Sequence, residues 1–394
     1  MSHQLISHSP DLKRLQDEGY EVEILSNHLL VHSVPYINSN GVIENGTLVS
    51  DLTLVGNVTT RPSTHVIHFI GEHPHRKMGG EITEIKHASN TNALTQDITI
   101  HHSFSNKPTT GYKDYYEKVT RYIEIISAHA KSLDPNVTAC TFKVIESKDD
   151  DSPFVYQDTA SSRVGISALS QRLAKSKNVQ VLGLGGTGGY VLDLIAKTPI
   201  ESIHLYDGDK FHQHNAFRAP GAASLDLLMS QPFKVDYFQS IYSNMHKGIV
   251  AHKEFITEDN LAKLDESDFV FMCIDKGSAR KPIIEYLMKK SIPFIDVGMG
   301  IQVIEGTGEL VGICRVTTST AMKSDHISKR IPLFDNDDND LYAQNIQTAD
   351  LNSFNAAMAV MKWKKLCGFY QDIENEHNST YSINVNQMTS DELS

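Results

Sequence analysis

Five polar residues, Asp207, Asp209, Asn215, Arg218 and Lys234, follow a run containing five glycines, Gly183, Gly185, Gly186, Gly188 and Gly189. Their types and spacing suit the handling of phosphate. Glycine tolerates positive φ and lets main-chain N–H groups come close to a ligand, and at a helix N-terminus those groups and the helix dipole favour an anion. Arg and Lys hold phosphate oxygens, Arg through a planar fork. A carboxylate at the end of a strand, here Asp207, suits a ribose hydroxyl. Further on, Asp275 ends an apolar run and Arg280 follows five residues later. A carboxylate at that place can hold Mg²⁺ beside phosphates, and Asp equally favours a helix N-cap.

The elements that must carry these groups are legible in the periodicity. Val179–Leu182 is an apolar strand, and the segment after the glycines has helical spacing in Val191, Leu192, Leu194 and Ile195 until Thr198-Pro199 stops it. Ile203–Tyr206 is the second strand, ending at Asp207. Strand, glycine turn, helix, strand and acid make the nucleotide-binding half of a Rossmann-type sheet. Ser230–Gln239 reads as a helix with Lys234 near its start, and Ile249–Phe255 as a third strand. Phe269–Ile274 is apolar throughout, as a strand buried on both faces should be, and Pro293–Gly298 follows as the next. Gln302–Ile304 and Leu310–Val316 form a hairpin across Gly306-Thr307-Gly308, and Thr317–Thr320 follows as a loop. Ala349–Phe369 is a helix with Ala356, Ala357, Met358, Val360 and Met361 on its apolar positions, Trp363 in the core and Gly368 at its end. Thr380–Asn386 adds an edge strand.

The order DxDxxxxxNxxR, Asp207 to Arg218 with Lys234 beyond, resembles the adenylation domain of the ubiquitin-activating enzymes and of their ThiF and MoeB relatives, over residues 155–370. The resemblance implies two substrates, ATP and a carboxylate, with Mg²⁺ on Asp275. Gly183, Gly185, Gly186, Gly188, Asp207, Asp209, Asn215, Arg218, Lys234 and Asp275 would bind the nucleotide. Lys234 corresponds to the lysine of a family helix that meets the phosphates. Arg163, in Ser161-Ser162-Arg163 before a short helix at Ile166–Ala174, matches an arginine that reaches the triphosphate, in several members across a homodimer interface. The carboxylate implied is the C-terminus of a ubiquitin-like protein, passed on toward a ubiquitin-conjugating-type partner. The acidic segment Asp325–Asp340 corresponds to a crossover loop over the modifier's tail. The chain departs from the pattern twice. It lacks the two CxxC pairs that bind zinc in many relatives, and Thr317–Thr320 holds no cysteine where relatives take the acyl group. A covalent step there would fall to a hydroxyl, Thr318 or Ser319, with His326 as base. Otherwise these residues only cap a strand and the adenylate goes straight to a partner.

The first 147 residues read differently. Asp11–Glu18 is a short helix, and Tyr20–Leu25, Leu29–Val34, Thr47–Leu54, His65–Ile70 and Ile98–His101 alternate as strands of a mainly antiparallel sheet. Tyr112–Leu133 carries apolar residues at i, i+3, i+4 and i+7, a long amphipathic helix. This α+β domain loosely resembles a ubiquitin-conjugating fold and the uncharacterised N-terminal domain of some bacterial ThiF-type proteins. Its histidines, with His65 and His73 on one strand face, either hold a metal or are ordinary surface histidines. A charged linker at Lys148–Asp151 separates the domains. The expectation is an α/β protein: residues 1–147 as the smaller α+β domain, 148–394 as a Rossmann-like, ThiF-type adenylation domain with a mainly parallel sheet.

With 394 residues, net charge −12 and pI about 5.9, nothing marks a nucleic-acid binder. No apolar run is long enough for a membrane span and no leader is visible, so the chain is expected in the cytoplasm. Cys140, Cys273, Cys314 and Cys367 are scattered singly, as in no zinc or disulfide framework. Three other readings stay open: adenylation of a small-molecule or RNA-borne carboxylate, an NAD-dependent oxidoreductase, and a non-catalytic scaffold half. The last would have lost its phosphate-binding Arg, Lys and Asp, which this chain keeps.

Overall fold

Six strands drawn from residues 21–51 and 66–105 fold into one antiparallel sheet, and a 19-residue amphipathic helix covers it. A computed structural model describes residues 2–144, 152–333 and 346–390 of the chain. The linker at 148–151 and Asp335, Asp337, Asp338 and Asp340 of the acidic segment lie outside the described residues. The chain forms two compact units, Met1–Ile145 with Ser162–Val164, and Glu146–Ser161 with Gly165–Ser394.

In the first unit six strands lie in the order Glu21–Leu25, His28–Ile37, Ile43–Asp51, Val66–Ile70, His102–Ser105, Lys86–Ala88, all antiparallel. Helix Tyr115–Leu133 is capped by Asp114, whose side chain accepts from the Glu117 N–H, and buries Tyr115, Val119, Tyr122, Ile123 and Ile126 on the sheet. His65 precedes strand Val66–Ile70 and His73 follows it, so the two do not share a strand face as the sequence suggests. Among the described residues, no group of three His, Cys, Asp or Glu is placed to hold a metal.

The same helix carries a buried cation. Lys118 is fully buried, and its Nζ donates to Ser50 Oγ at 2.8 Å. Burial pushes its ammonium down to about 8, against the pull of the nearby Asp51 charge. Below that pH the folded state carries the charge in a dry place. Between pH 8 and the ordinary lysine value only the unfolded chain binds the proton, so this group's penalty fades as pH rises. Lys118→Met should therefore raise the unfolding temperature at pH 7, by a gain of about 3 kcal/mol at most. The gain should shrink as the pH of the melts is raised from 7 to 10.

The second unit is an eight-stranded sheet: β1 Asn178–Leu182, β2 Ser202–Tyr206, β3 Ile249–His252, β4 Phe269–Met272, β5 Phe294–Val303, β6 Leu310–Ser319, β7 Asn378–Ser382 and β8 Gln387–Ser390. The strand order is β3-β2-β1-β4-β5-β6-β7-β8. The first five are parallel and the last three pair antiparallel. Helices α1 Gly186–Ile195, α2 Lys234–Tyr242 and α4 Ala349–Leu366 belong to the core on one face, around Val179, Val181, Ile203 and Leu205. Helix α3, Gly277–Lys290, packs Ile283, Ile284 and Leu287 against Leu182, Val270 and Met272 on the other. A strand buried on both faces reads as a continuous apolar run, which is why β4 is plain in the sequence. Among the described residues, no helix is long and apolar enough to cross a membrane.

Several boundaries differ from the sequence reading. Pro293–Gly298 and Gln302–Ile304 belong to one ten-residue strand, β5, whose register with β6 runs from Phe294↔Ser319 to Val303↔Leu310. Thr317, Thr318 and Ser319 are therefore inside β6, not in a loop after it, and β7 pairs with Ile313–Thr317. The segment expected as an edge strand is interior, because β8 pairs outside it. Ser230–Gln239 divides into Leu225–Ser230 and α2 at Gln231, where φ is +46°. The short helix at 166–174 is confined to Ser167–Ser170, followed by a 3₁₀ turn at Leu173–Lys175.

Candidate functional site

The strand order reverses between β1 and β4, and at such a switch point the carboxyl ends of two neighbouring strands splay apart into a crevice. The glycine loop leaves β1 there. Gly183 has φ +87°, and a Cβ on it would lie 2.7 Å from the Cys273 carbonyl oxygen just past β4. A Cβ on Gly188 would lie 2.0 Å from the Gly183 oxygen. These two positions need glycine for room, one of them also for backbone conformation. Gly185 is the N-cap of α1, and its ideal Cβ meets nothing within 4 Å. The first turn of α1 therefore begins at an open backbone surface, with its unpaired N–H groups at that end.

Asp207 braces this loop. It is 3% exposed, and its Oδ2 accepts from the Leu184 N–H at 2.7 Å while Oδ1 accepts from the Asp209 N–H at 2.9 Å. Lys234, the first residue of α2, is 7% exposed. Its Nζ lies 2.8 Å from Asp209 Oδ2 and 3.4 Å from Asp207 Oδ2, and its N–H donates to the Asp209 carbonyl at 2.9 Å. The Asp209 side chain is the open one of the two acids, 59% exposed. Asn215 faces inward: its Oδ1 accepts from the His212 N–H at 2.8 Å, a capping box on the turn Gln213–Ala216. That turn sets Arg218, whose N–H donates to the Asn215 carbonyl at 3.1 Å. Arg218 Nε is buried with no hydrogen-bond partner. A buried guanidinium nitrogen left unsatisfied costs free energy, and a ligand oxygen would recover it.

Asp275 is exposed just past β4, three residues after its end. Its carbonyl accepts from Arg280 Nη2 at 3.1 Å. Arg280 Nη1 lies 3.4 Å from Oδ2 of the fully buried Asp296, which also receives Arg315 Nη2 at 2.6 Å. Arg315 continues to Thr317 Oγ1 at 2.5 Å, and that hydroxyl donates to Asn378 Oδ1 at 2.8 Å. A chain of buried polar groups thus runs from the Asp275 turn across β5 and β6 to β7. Charges so buried persist because they are paired.

The hydroxyls at the end of β6 are enclosed. Thr318 is 1% and Ser319 3% exposed, and Thr318 Oγ1 has no partner. His326 Nε2 donates to the Thr318 carbonyl at 3.0 Å rather than meeting its hydroxyl, and burial pushes the imidazole below its ordinary range. Cys314 is fully buried, its thiol pushed up to about 11 by burial. Burial pushes the Cys273 thiol higher still. No open acyl acceptor therefore stands along this strand. Arg163 is exposed at the end of the turn Thr159–Arg163 and groups with the first unit.

Two residues of α4 escaped the sequence reading. Asn352 and Asn355 on α4 are fully buried, whereas Met361, assigned there to the apolar face, is exposed. Asn352 Oδ1 accepts from Thr187 Oγ1 at 2.9 Å and its Nδ2 donates to the Arg218 carbonyl at 3.3 Å. Asn355 Nδ2 donates to the Gly298 carbonyl at 3.0 Å. Two amides three residues apart in a helix of buried Ala, Met and Val were the available signal, since they share a face.

A family model described as the ThiF family matches residues 158–394, more than half of the chain. A second, a domain of unknown function named DUF6791, matches residues 10–159. No curated protein matches. Among similar solved structures are PaaA in selenomethionine form, at 19% identity and TM-score 0.44, covering 58% of this chain and 76% of that one. Another is E. coli MccB with ATP, at 18% identity and TM-score 0.45, covering 57% and 66%. The microcin C7 biosynthetic enzyme MccB in complex with N-formylated MccA gives 18% identity and TM-score 0.46, covering 60% and 70%. With a glycine loop, braced acid and basic pair at the switch point of a mainly parallel sheet, and with the family model spanning that whole sheet, the chain belongs to the ThiF family.

Proposed function

We propose that the chain activates a carboxylate by adenylation with ATP. The observation that carries the reading is the buried, unpartnered Arg218 Nε at a site where Lys234 is held only by acids, both beside an open helix N-terminus. Such a set of cations and N–H groups suits a triphosphate. A carboxylate is a poor acyl donor because oxide would have to leave. One of its oxygens attacks the α-phosphorus of ATP, the bond to the β-phosphate bridging oxygen breaks, and pyrophosphate departs with those electrons. The products are an acyl-adenylate and pyrophosphate. Negative charge gathers on the phosphate oxygens in the transition state, where Arg218 and Lys234 stabilise it. Both oxygens of Asp207 are taken by the loop it keeps in shape, so the ribose hydroxyls, expected on Asp207 from its place at the strand end, are assigned here to the more open Asp209. Asn215 orients the turn that presents Arg218. Asp275 fits Mg²⁺, an exposed hard carboxylate beside the phosphates, and the ion when bound neutralises phosphate charge. The reading ends at the adenylate, because Thr318 and Ser319 are enclosed.

The carboxylate we propose is the C-terminus of a small ubiquitin-like protein, supported by the motif order Asp207-Asp209-Asn215-Arg218-Lys234. We place residues 1–147 as a modifier-binding or ubiquitin-conjugating-like domain. ATP–pyrophosphate exchange tests the whole reading. Exchange should require a candidate ubiquitin-like protein with a free C-terminus. Exchange driven by an amino acid alone would move the substrate to the small-molecule class, and no exchange with any carboxylate would sink adenylation.

We also propose a homodimer in which Arg163 serves the nucleotide bound by the other copy. Mixing inactive Arg163→Ala and inactive Asp275→Ala chains should then restore part of the exchange activity, about a quarter of wild type if subunits assort at random and each site acts alone. Mixtures as inactive as the single variants would exclude action in trans.

A further inference from the structure

We infer that Asn352 is a positioning residue for the triphosphate end of the site, holding the start of α1 and the main chain at Arg218 in one arrangement. The inference rests on the reading of that loop as the phosphate cradle. Asn352 lies on α4, the helix after the antiparallel strands β5 and β6, 134 residues beyond Arg218 in the chain. It is fully buried. Both ends of its amide are committed, in different directions: Oδ1 accepts from Thr187 in the first turn of α1, and Nδ2 donates to the Arg218 carbonyl. The amide also lies against Gly186, where an added Cβ would fall 2.0 Å from Nδ2. Gly186 is thus glycine because the asparagine occupies the space a side chain would need. One rigid amide therefore ties together two parts of the cradle that come from separate segments. It fixes where the α1 N–H groups point and where the Arg218 guanidinium, with its unpartnered Nε, is presented.

Such a residue should matter for phosphates and not for the nucleoside. The test is calorimetric binding of ATP and of adenosine to the full-length chain, read as the ratio of the two affinities. Asn352→Leu keeps the side-chain volume and removes both hydrogen bonds. It should weaken ATP about tenfold and leave adenosine within about twofold. Thr187→Val removes one arm alone and should lower the ratio about threefold. If both ligands weaken together in Asn352→Leu, or the ratio is unchanged, the positioning role is overturned. Should Asn352→Leu not fold, Thr187→Val decides, and an unchanged ratio in it overturns the role. A wild-type chain that binds no ATP would instead overturn the nucleotide reading beneath the inference, so the two failures are told apart.

Discussion

Arg218→Ala should slow ATP–pyrophosphate exchange by about a hundred- to a thousandfold, because it removes a charged donor aimed at oxygens that gain charge in the transition state. The geometry gives reasons to expect the upper part of that range. The main chain of Arg218 is fixed from both sides, by its own N–H on Asn215 and by Asn352 on its carbonyl. Its Nε is already dehydrated and unpartnered, so contact with a phosphate oxygen recovers a hydrogen bond instead of exchanging one with water. Lys would be a poor replacement, since a single ammonium cannot make the planar, two-point contact. Lys234→Ala should be at least as damaging. It removes a cation and also leaves Asp207 and Asp209 facing the phosphates without compensation. Exchange rates should be measured at saturating ATP together with circular dichroism, because Lys234 is itself buried and pairs with a buried acid. Losses below about tenfold in both variants, with folding intact, would place the chemistry elsewhere.

How much of this was visible in the sequence depends on the range of the interactions concerned. The loop, its acid and its basic pair are local: Gly183, Asp207 and Lys234 sit at the ends of elements whose apolar runs announce them. The central strand β4 was legible for the same reason, burial on both faces leaving little choice of reading. What failed was longer in range. Gly298 and Gly300 look like a break in β5, yet ten residues of β6 pair across them, and pairing overrides the local weakness of glycine. Thr317–Ser319 read as a polar loop. The Thr317 hydroxyl serves instead a buried network, bridging Arg315 and Asn378. Asn352 and Asp296 were missed because each is explained by partners far along the chain, Thr187 and Arg218 for one, Arg280 and Arg315 for the other. A lone polar residue within an apolar pattern gives no hint of which distant segment it serves.

Asp275→Ala should abolish ATP–pyrophosphate exchange at any Mg²⁺ concentration while leaving the unfolding temperature within about 2 °C of wild type. The two halves of that expectation have separate grounds. Stability should survive because the side chain is exposed and the carbonyl of residue 275, which takes the Arg280 hydrogen bond, is kept by alanine. Arg280 in turn is fixed by Asp296 and so reports on the buried network, not on the carboxylate of Asp275. Activity should fall because a hard carboxylate beside phosphates is what Mg²⁺ needs from a protein, and phosphoryl chemistry at unshielded phosphate oxygens is slow. Asp275→Asn separates charge from shape. It keeps the size and a weak oxygen ligand, so if charge is what matters it should resemble the alanine variant, with a partial recovery as Mg²⁺ is raised. Exchange near the wild-type rate in Asp275→Ala, at saturating Mg²⁺, would remove the metal role and leave Asp275 as an exposed residue before α3. A loss of exchange accompanied by a lowered melting temperature would mean that the carboxylate holds the turn itself. Titrating Mg²⁺ against nucleotide affinity in the same two variants decides between these outcomes, because a ligand to the ion shifts the Mg²⁺ dependence and a purely structural residue does not.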